Sequence, residues 1–206
     1  MEYQKIDTLF KRDDKNIIIP TKYTNEVFAE LADIKWECTE KIDGTNTRIE
    51  LKHGEIQFMG RTDKAVLPEH LTARLNEIFT YEKLKEVFNL TDDGTSPDIT
   101  IFGEGYGAKI QKGNNYIKNG VDFILFDVRI GNWWLERDSL VEIADKLGVK
   151  IVPLIGYMTL PEAVAYVKKG FKSTIAENKD YPAEGLVLKT KYGLLYRNGQ
   201  RIITKI

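Results

Sequence analysis

Cysteine is almost absent from this chain of 206 residues, which contains only Cys38. A single thiol cannot form an internal disulfide, so a disulfide-stapled scaffold is excluded. Histidine is equally scarce, and His53 and His70 together with one cysteine make no recognisable zinc cluster. The sequence therefore fits a reducing, intracellular setting and a fold held by its own core.

Long apolar runs and an excess of charge are also missing. No segment approaches the ~20 apolar residues that span a bilayer, and the N-terminus lacks the apolar core of a signal peptide. We therefore expect a soluble, cytoplasmic protein that does not bind membranes. The 30 basic and 31 acidic residues give a formal net charge of −1, which argues against attraction of the whole molecule to nucleic acid and leaves room for a local basic groove.

The length allows one large domain or two small ones, and we predict a single domain over residues 1–206. Alternating apolar residues predict an antiparallel meander over residues 35–59, with Lys41 near the end of its first strand. Later patterns predict helices at 68–88 with a break, 138–147 and 161–169, and strands at 99–103, 123–129, 150–155, 184–191 and 194–204.

The most informative stretch is Lys41-Ile42-Asp43-Gly44. A lysine followed by Asp-Gly at a strand end can be a covalent nucleotide carrier, because a neutral lysine amine is a nucleophile. Alone, the pattern occurs by chance in roughly one chain in twenty of this length, and a surface lysine beside an Asp-Gly hairpin turn is the simpler interpretation. Further motifs follow in order: Gly60-Arg61, Phe102-Gly103-Glu104, Phe126-Asp127, Glu184-Gly185 with Lys189, and Lys205. Chance does not readily produce that series.

This series resembles the covalent nucleotidyltransferase superfamily of polynucleotide ligases and messenger-RNA capping enzymes, and it is most similar to the ATP-dependent RNA ligases. Lys41-Ile42-Asp43-Gly44 resembles motif I, and the appended Thr45-Asn46 is typical of the RNA-ligase branch. The later motifs resemble motifs Ia, III, IIIa, IV and V, and the match spans residues 36–205. The resemblance implies an α+β fold, the nucleotidyltransferase (ATP-grasp-like) domain of polynucleotide ligases, in which antiparallel sheets with flanking helices form an ATP cleft.

The resemblance also implies a reaction. Lys41 is expected to attack the α-phosphorus of ATP, release pyrophosphate and carry AMP, which then passes to a 5′-phosphate end that is joined to a 3′-hydroxyl. Mg²⁺ or Mn²⁺ is the expected metal, because oxygen ligands and a triphosphate favour such ions. Two alternatives stay open: a GTP-dependent capping-type guanylyltransferase, which Asn46 disfavours, and a non-catalytic RNA-binding module that retains the fold.

Roles for single residues follow from the same resemblance. Lys41 is the expected catalytic nucleophile, Glu104 is expected to bind the ribose hydroxyl, and Phe126 is expected to stack on adenine. Asp43 and Glu184 are the expected metal residues. Without the resemblance, the acids would be interpreted as surface carboxylates and Phe126 equally well as a core residue. The residues expected to bind the nucleotide are Glu40, Lys41, Asp43, Gly44, Asn46, Arg61, Glu104, Phe126, Glu184, Lys189 and Lys205.

One departure concerns motif V, which usually carries two lysines one residue apart. If Lys205 is the first, the second falls just beyond Ile206, so either the chain is truncated or the role is filled otherwise. Relatives commonly carry a C-terminal OB-fold or helical domain, which these residues do not include. We therefore expect a partner protein as one source of additional nucleic-acid binding. Separately, we expect a monomer that acts on RNA ends or RNA/DNA hybrids. The acceptor stays open between an RNA nick, a single-stranded break and a mixed RNA/DNA end.

Overall fold

The structure, a computed structural model, describes residues 2–91, 96–111 and 116–206. The strands are β1 Asp7–Thr8, β2 Phe10–Arg12, β3 Ile18–Tyr23, β4 Trp36–Glu40, β5 Thr45–Lys52, β6 Glu55–Gly60, β7 Ile99–Gly107, β8 Val121–Ile130, β9 Trp133–Trp134, β10 Lys150–Ile151, β11 Leu154–Met158, β12 Leu186–Thr190 and β13 Ile203–Lys205. The helices are α1 Glu26–Glu30, α2 Glu69–Ile78, α3 Tyr81–Phe88, α4 Arg137–Leu147 and α5 Leu160–Lys169. These elements form two compact units, each with its own sheet and hydrophobic core.

The first unit comprises Glu2 and Tyr3, Asp43–Val152 and Ala176–Asn178. Its sheet has the order β10-β8-β7-β5-β6, with β9 paired to β8, and only the β10–β8 pairing is parallel. Ile49 and Ile101 point to one face of this sheet, where they pack against α2, α3 and α4. Because successive strand residues alternate between faces, the even-numbered residues of β5 and β7 point to the opposite face.

The helices of the first unit form for identifiable reasons. Apolar residues recur in α2 at Leu71, Leu75 and Ile78, so one helix face is buried against the sheet. The last turn of α4 ends at Gly148, whose φ of +67° is a left-handed conformation that glycine adopts without steric cost. Both features are visible in the sequence, which is why these helices were predictable.

The second unit comprises Gln4–Ile42, Pro153–Ile175 and Lys179–Ile206. Its five-stranded sheet has the order β1-β13-β12-β4-β11 and is antiparallel except between β1 and β13, while β2 and β3 form a separate two-stranded sheet. Trp36 and Cys38 point to the face covered by α1 and α5. Helix α5 starts with a capping box, in which the side chains of Thr159 and Glu162 each accept a backbone hydrogen bond.

The predicted α+β class with antiparallel sheets and flanking helices is confirmed, and the helices lie where they were predicted. The meander over 35–59 is partly wrong: β5 and β6 pair, but β4 lies between β12 and β11 in the other sheet. The strand at 150–155 is divided into β10 and β11, since Pro153 has no N–H for a ladder hydrogen bond. Of 194–204, only the end belongs to a strand, β13, apart from an isolated Leu195–Arg201 bridge.

The prediction of a single nucleotidyltransferase domain over the whole chain stays a prediction. Among the helices in the described ranges, none is long and apolar enough to cross a membrane.

Candidate active site

Lys41 lies directly after β4, at the end of the sheet of the second unit. Its backbone N–H donates to the carbonyl of Gly185 at 2.9 Å, and its Nζ forms an ion pair with the Glu184 carboxylate. Lys41 and Glu184 are 143 positions apart in sequence. A Cβ on Gly185 would lie 2.0 Å from the carbonyl oxygen of Ile206, so a larger residue would push these segments apart. The fold therefore brings motif I and motif IV together.

The other two predicted lysines of this unit share the sheet face of Lys41. Residues directly opposite each other in an antiparallel pair project to the same face, and Val187 lies opposite both Thr39 and Lys205. Lys189 is two positions beyond Val187, and Lys41 is two positions beyond Thr39. Because every second residue of a strand points to the same face, the side chains of Lys41, Lys189 and Lys205 share one face of the sheet. One face thus carries Lys41, Lys189 and Lys205, which suits the neutralisation of phosphate charge.

Glu40 points to the interior of the second unit. Its side chain is buried, and its carboxylate accepts three hydrogen bonds, from Ser173 Oγ at 2.5 Å, Thr174 N at 2.9 Å and Thr174 Oγ1 at 2.8 Å. These bonds satisfy a charge that would be costly to bury alone. They fix the strand residue that precedes Lys41, whereas the expected contact of Glu40 with a nucleotide stays a prediction. No sequence pattern indicated Ser173 or Thr174.

In the first unit, Asn46, Glu104 and Phe126 share one sheet face. Asn46 lies directly opposite Glu104 in the β5–β7 pair, on the face away from the helices. Phe126 is the additional residue of a β-bulge, because Phe102 pairs with Asp127 and the next residue of β7 already pairs with Leu125. Bulges redirect a side chain in this way. Phe126 is half-buried there and lies outside the core packed against the helices.

Tyr3 supports Phe126, and sequence reasoning missed it. The rings of Tyr3 and Phe126 meet edge to face, with centroids 5.1 Å apart and an interplanar angle of 74°. Tyr3 packs in the same manner on Phe102, and its hydroxyl donates to Asp127 Oδ2 at 2.5 Å. A lone aromatic residue near a chain terminus belongs to no periodic pattern, so nothing in the sequence pointed to it.

The Asp43-Gly44 turn is held by two further residues that the sequence did not indicate. The N–H of Asp43 donates to the hydroxyl of Tyr116 at 3.2 Å, and Gln111 Nε2 donates to the carbonyl of Gly44 at 2.9 Å. A Cβ on Gly44 would lie 2.4 Å from the carbonyl oxygen of Gly105, so this turn requires glycine. The expected motif I turn is therefore a tightly fixed piece of backbone in this unit.

Two buried polar atoms on the sheet face of Asn46 and Glu104 have unused hydrogen-bonding capacity. Asn46 Oδ1 and the Tyr106 hydroxyl have no hydrogen-bond partner among the residues that the structure describes. Burial raises the pKa of Tyr106, so its hydroxyl stays protonated and can donate. Arg61 is exposed and directly follows Gly60, which lies opposite Thr47, so it is placed beside the start of β5. A bound hydroxyl group could donate to Asn46 Oδ1, and a phosphate oxygen could accept from the Tyr106 hydroxyl.

The residues present fit a divalent metal in their chemistry. The Glu184 carboxylate already receives a cation, the Lys41 ammonium, and carboxylate oxygens are the ligands that Mg²⁺ and Mn²⁺ prefer. Asp43, the other expected metal residue, belongs to the first unit. Within the described ranges, no group of three or more His, Cys, Asp or Glu side chains is arranged around a potential metal position.

Comparisons with known proteins give a consistent result. Residues 34–206 match the family model described as RNA ligase. A variant of the Naegleria gruberi RNA ligase with AMP and Mn superimposes with a TM-score of 0.67 at 21% identity, covering 100% of this chain and 55% of that one. Another variant, with ATP and Mn, gives a TM-score of 0.64 at 23% identity, and the match covers 87% of this chain and 52% of that one. The same ligase with PPi gives a TM-score of 0.64 at 21% identity, and the match covers 98% of this chain and 60% of that one. This chain thus shares their fold and spans 52–60% of their length.

Proposed function

Because this chain belongs to the RNA ligase family, which its residues 34–206 match, we propose that it is an ATP-dependent RNA ligase. The observation that carries the proposal is the meeting of Lys41 with Glu184-Gly185 through a backbone hydrogen bond and an ion pair. A surface lysine beside a simple turn would not need a partner 143 positions away. The family match favours ligation over the capping-type alternative.

In the proposed first step, Lys41 Nζ forms a bond to the α-phosphorus of ATP. The bond from that phosphorus to the bridging oxygen breaks, pyrophosphate leaves with the electron pair, and the amine loses one proton to solvent. In the second step AMP passes to the 5′-phosphate of an RNA end. In the third, a 3′-hydroxyl attacks that phosphate and AMP leaves. Lys189 and Lys205, on the same sheet face as Lys41, are proposed to neutralise phosphate charge in these steps.

The face of the first unit supports a role in nucleotide binding. Asn46 Oδ1, buried and without a hydrogen-bond partner in the described residues, can accept a hydrogen bond from a ligand. Glu104, directly opposite Asn46, is proposed to bind the ribose hydroxyl, and Phe126 is proposed to stack on adenine. A contact of the latter kind contributes about 1–3 kcal/mol in nucleic-acid sites. Asp43 in the first unit and Glu184 in the second are each proposed as a residue for Mg²⁺ or Mn²⁺, which would supply positive charge for phosphate oxygens.

The first experiment tests Lys41. Incubation with α-labelled ATP and Mg²⁺ or Mn²⁺, followed by a denaturing gel, should give a labelled protein band, and Lys41→Ala should give none. Lys41→Arg should also fail, because a guanidinium stays charged and is not a nucleophile. Lys169→Ala, an exposed lysine of α5, is the matched control and should label normally. A labelled Lys41→Ala band would refute the proposal, and labelling by GTP in place of ATP would favour the capping alternative.

A second assay tests ligation itself. Pre-adenylylated RNA bypasses lysine adenylylation, so the protein should join it to an RNA 3′-hydroxyl without ATP. Sealing of all-DNA nicks without any joining of RNA ends would contradict the RNA-ligase assignment and leave the covalent lysine intact. Labelling of the protein without transfer to any polynucleotide end would restrict the proposal to its first step.

A further inference from the structure

Tyr157, Lys191 and Tyr192 form an exposed group on the second unit, called here the Tyr-Lys-Tyr patch. The Lys191 Nζ lies 5.8 Å from the ring centroid of Tyr157 and 5.4 Å from that of Tyr192. Tyr157 is 44% exposed and Tyr192 is 81% exposed. Among the described residues, the contacts of Lys191 are with these two rings rather than with a carboxylate. The patch therefore presents two aromatic rings and a positive charge to solvent.

The patch lies on the same face of the sheet as Lys41. Tyr157 belongs to the edge strand β11 and is directly opposite Glu37 of β4. Glu37 and Lys41 are four positions apart, so alternation gives both the same orientation. At ~3.3 Å per strand residue, the row of Tyr157 lies about 13 Å along the sheet from Lys41.

We propose that the Tyr-Lys-Tyr patch binds the single-stranded RNA of the substrate, with bases stacked on Tyr157 and Tyr192 and a backbone phosphate at Lys191. This inference rests on the proposed ligase function. Stacking on aromatic rings beside cations is how proteins hold single strands without reading their sequence. At ~3.4 Å per stacked nucleotide, the distance to Lys41 corresponds to about four nucleotides. An RNA end adenylylated at Lys41 would thus reach the patch with its following nucleotides.

Charge complementarity favours a nucleic acid over a protein partner at this place. A protein-docking surface would have a depletion of lysine at its centre, whereas here the ammonium of Lys191 lies between the two rings. The net charge of −1 for the whole chain means that RNA cannot be held by general attraction. A local site with stacking platforms is what a ligase of balanced charge needs.

The test measures binding of a fluorescent, 5′-phosphorylated single-stranded RNA by anisotropy. With an RNA of about ten nucleotides, Tyr157→Ala and Tyr192→Ala should each raise Kd roughly 5- to 150-fold, the range expected for loss of one stacked base. Tyr157→Phe and Tyr192→Phe keep the ring and should restore wild-type affinity. Lys191→Ala should lessen the slope of log Kd against log salt by about 0.7, the value for one phosphate contact in a single strand.

Length provides an internal control. A 5′-phosphorylated single nucleotide whose phosphate lies at Lys41 cannot also reach the patch, about 13 Å along the sheet, so the same variants should bind it as the wild type does. Lys169→Ala, on the helix that covers the opposite sheet face, and Trp133→Ala, an aromatic residue that is 79% exposed on the first unit, should leave binding of the longer RNA unchanged. These controls separate a local contact from a general loss of charge or aromatic surface.

Labelling by α-labelled ATP separates this inference from the function on which it rests. The proposal is supported if the Ala variants label normally and bind the longer RNA weakly. It is overturned if Tyr157→Ala and Tyr192→Ala bind the longer RNA like the wild type, or if the wild type itself binds no RNA. Failure of the wild type to label, with RNA binding that still depends on the patch, would overturn the ligase function alone. If Tyr157→Ala and Tyr192→Ala weaken the binding of the single nucleotide and of the longer RNA equally, the proposed path of the RNA from Lys41 to the patch is refuted.

Discussion

Glu40 should be essential for the stability of the second unit, and the structure allows the effect to be worked out. Its buried carboxylate accepts hydrogen bonds from the Ser173 hydroxyl and from the amide and hydroxyl of Thr174. A hydrogen bond to a charged group contributes about 1.5–3 kcal/mol, and a buried donor left without an acceptor carries a desolvation cost of similar size. Contributions within one network do not add fully. We therefore expect Glu40→Ala to lower the free energy of unfolding by about 3–5 kcal/mol.

The assay is urea unfolding followed by tryptophan fluorescence. With an m-value of about 2 kcal/mol/M, the loss corresponds to a fall of roughly 2 M in the midpoint. Glu40→Gln keeps one acceptor oxygen but turns an amide toward a donor. It should therefore lower the free energy of unfolding by less than Glu40→Ala does, about 1–3 kcal/mol. Glu30→Ala, at an exposed position of α1, should stay within about 0.5 kcal/mol of the wild type.

An unchanged midpoint for Glu40→Ala would refute this reasoning. The Gln variant also separates two roles of Glu40. If Glu40→Gln is folded and still labels with ATP, then Glu40 acts by holding the backbone before Lys41. If it is folded but unlabelled, the contact with a nucleotide expected from the sequence is favoured.

Two other predictions concern buried side chains. Tyr3→Phe removes the hydroxyl that donates to Asp127 but keeps the ring beside Phe126. The free energy of unfolding should therefore fall by about 1.5–3 kcal/mol, while the KM for ATP in adenylylation stays unchanged. A raised KM with unchanged stability would contradict this prediction. Burial raises the pKa of the Cys38 thiol from 9.0 to about 11, so a thiol-reactive dye should label it at about pH 8 only in urea. Since the unfolded thiol ionises first, the contribution of Cys38 to stability should be lost as pH rises from 9.0 toward 11, and this loss should be absent in Cys38→Ala.

The sequence predicted the features that depend on local residue patterns or on motifs in a fixed order. Helix α4 followed from apolar spacing and the terminal Gly148, and the motif series pointed to Lys41 and Glu184, which the structure places in contact. Strand partners were not predictable in the same way, because alternation tells which residues share a face but not which strand lies beside them. The strand before Lys41 was therefore assigned to the wrong sheet, since its partners β11 and β12 lie more than 100 positions further along.

Supporting residues were missed for a related reason. Tyr3, Tyr116 and Ser173 act through contacts with residues of the motifs, or next to them, that are distant in sequence. A single tyrosine or serine carries no periodicity, and its value comes only from the tertiary fold that places its hydroxyl within reach of one atom. The Tyr-Lys-Tyr patch has the same origin, because β11 and the end of β12 meet only across the intervening β4.

Glu40 and Lys41 are consecutive residues, at the end of β4 and directly after it, and their side chains point to opposite faces of the sheet. Successive strand residues point to opposite faces, so Glu40 turns into the interior, where Ser173 and Thr174 hold it, and Lys41 turns to the face that carries the other lysines. The backbone hydrogen bond from Lys41 to Gly185 takes no part in the proposed reaction and can persist throughout it. The ion pair with Glu184, by contrast, occupies the Nζ atom that has to attack. The fold thus holds the proposed nucleophile through its main chain and through its neighbour Glu40, and in the proposed reaction the Lys41 side chain has to be released from its ion pair.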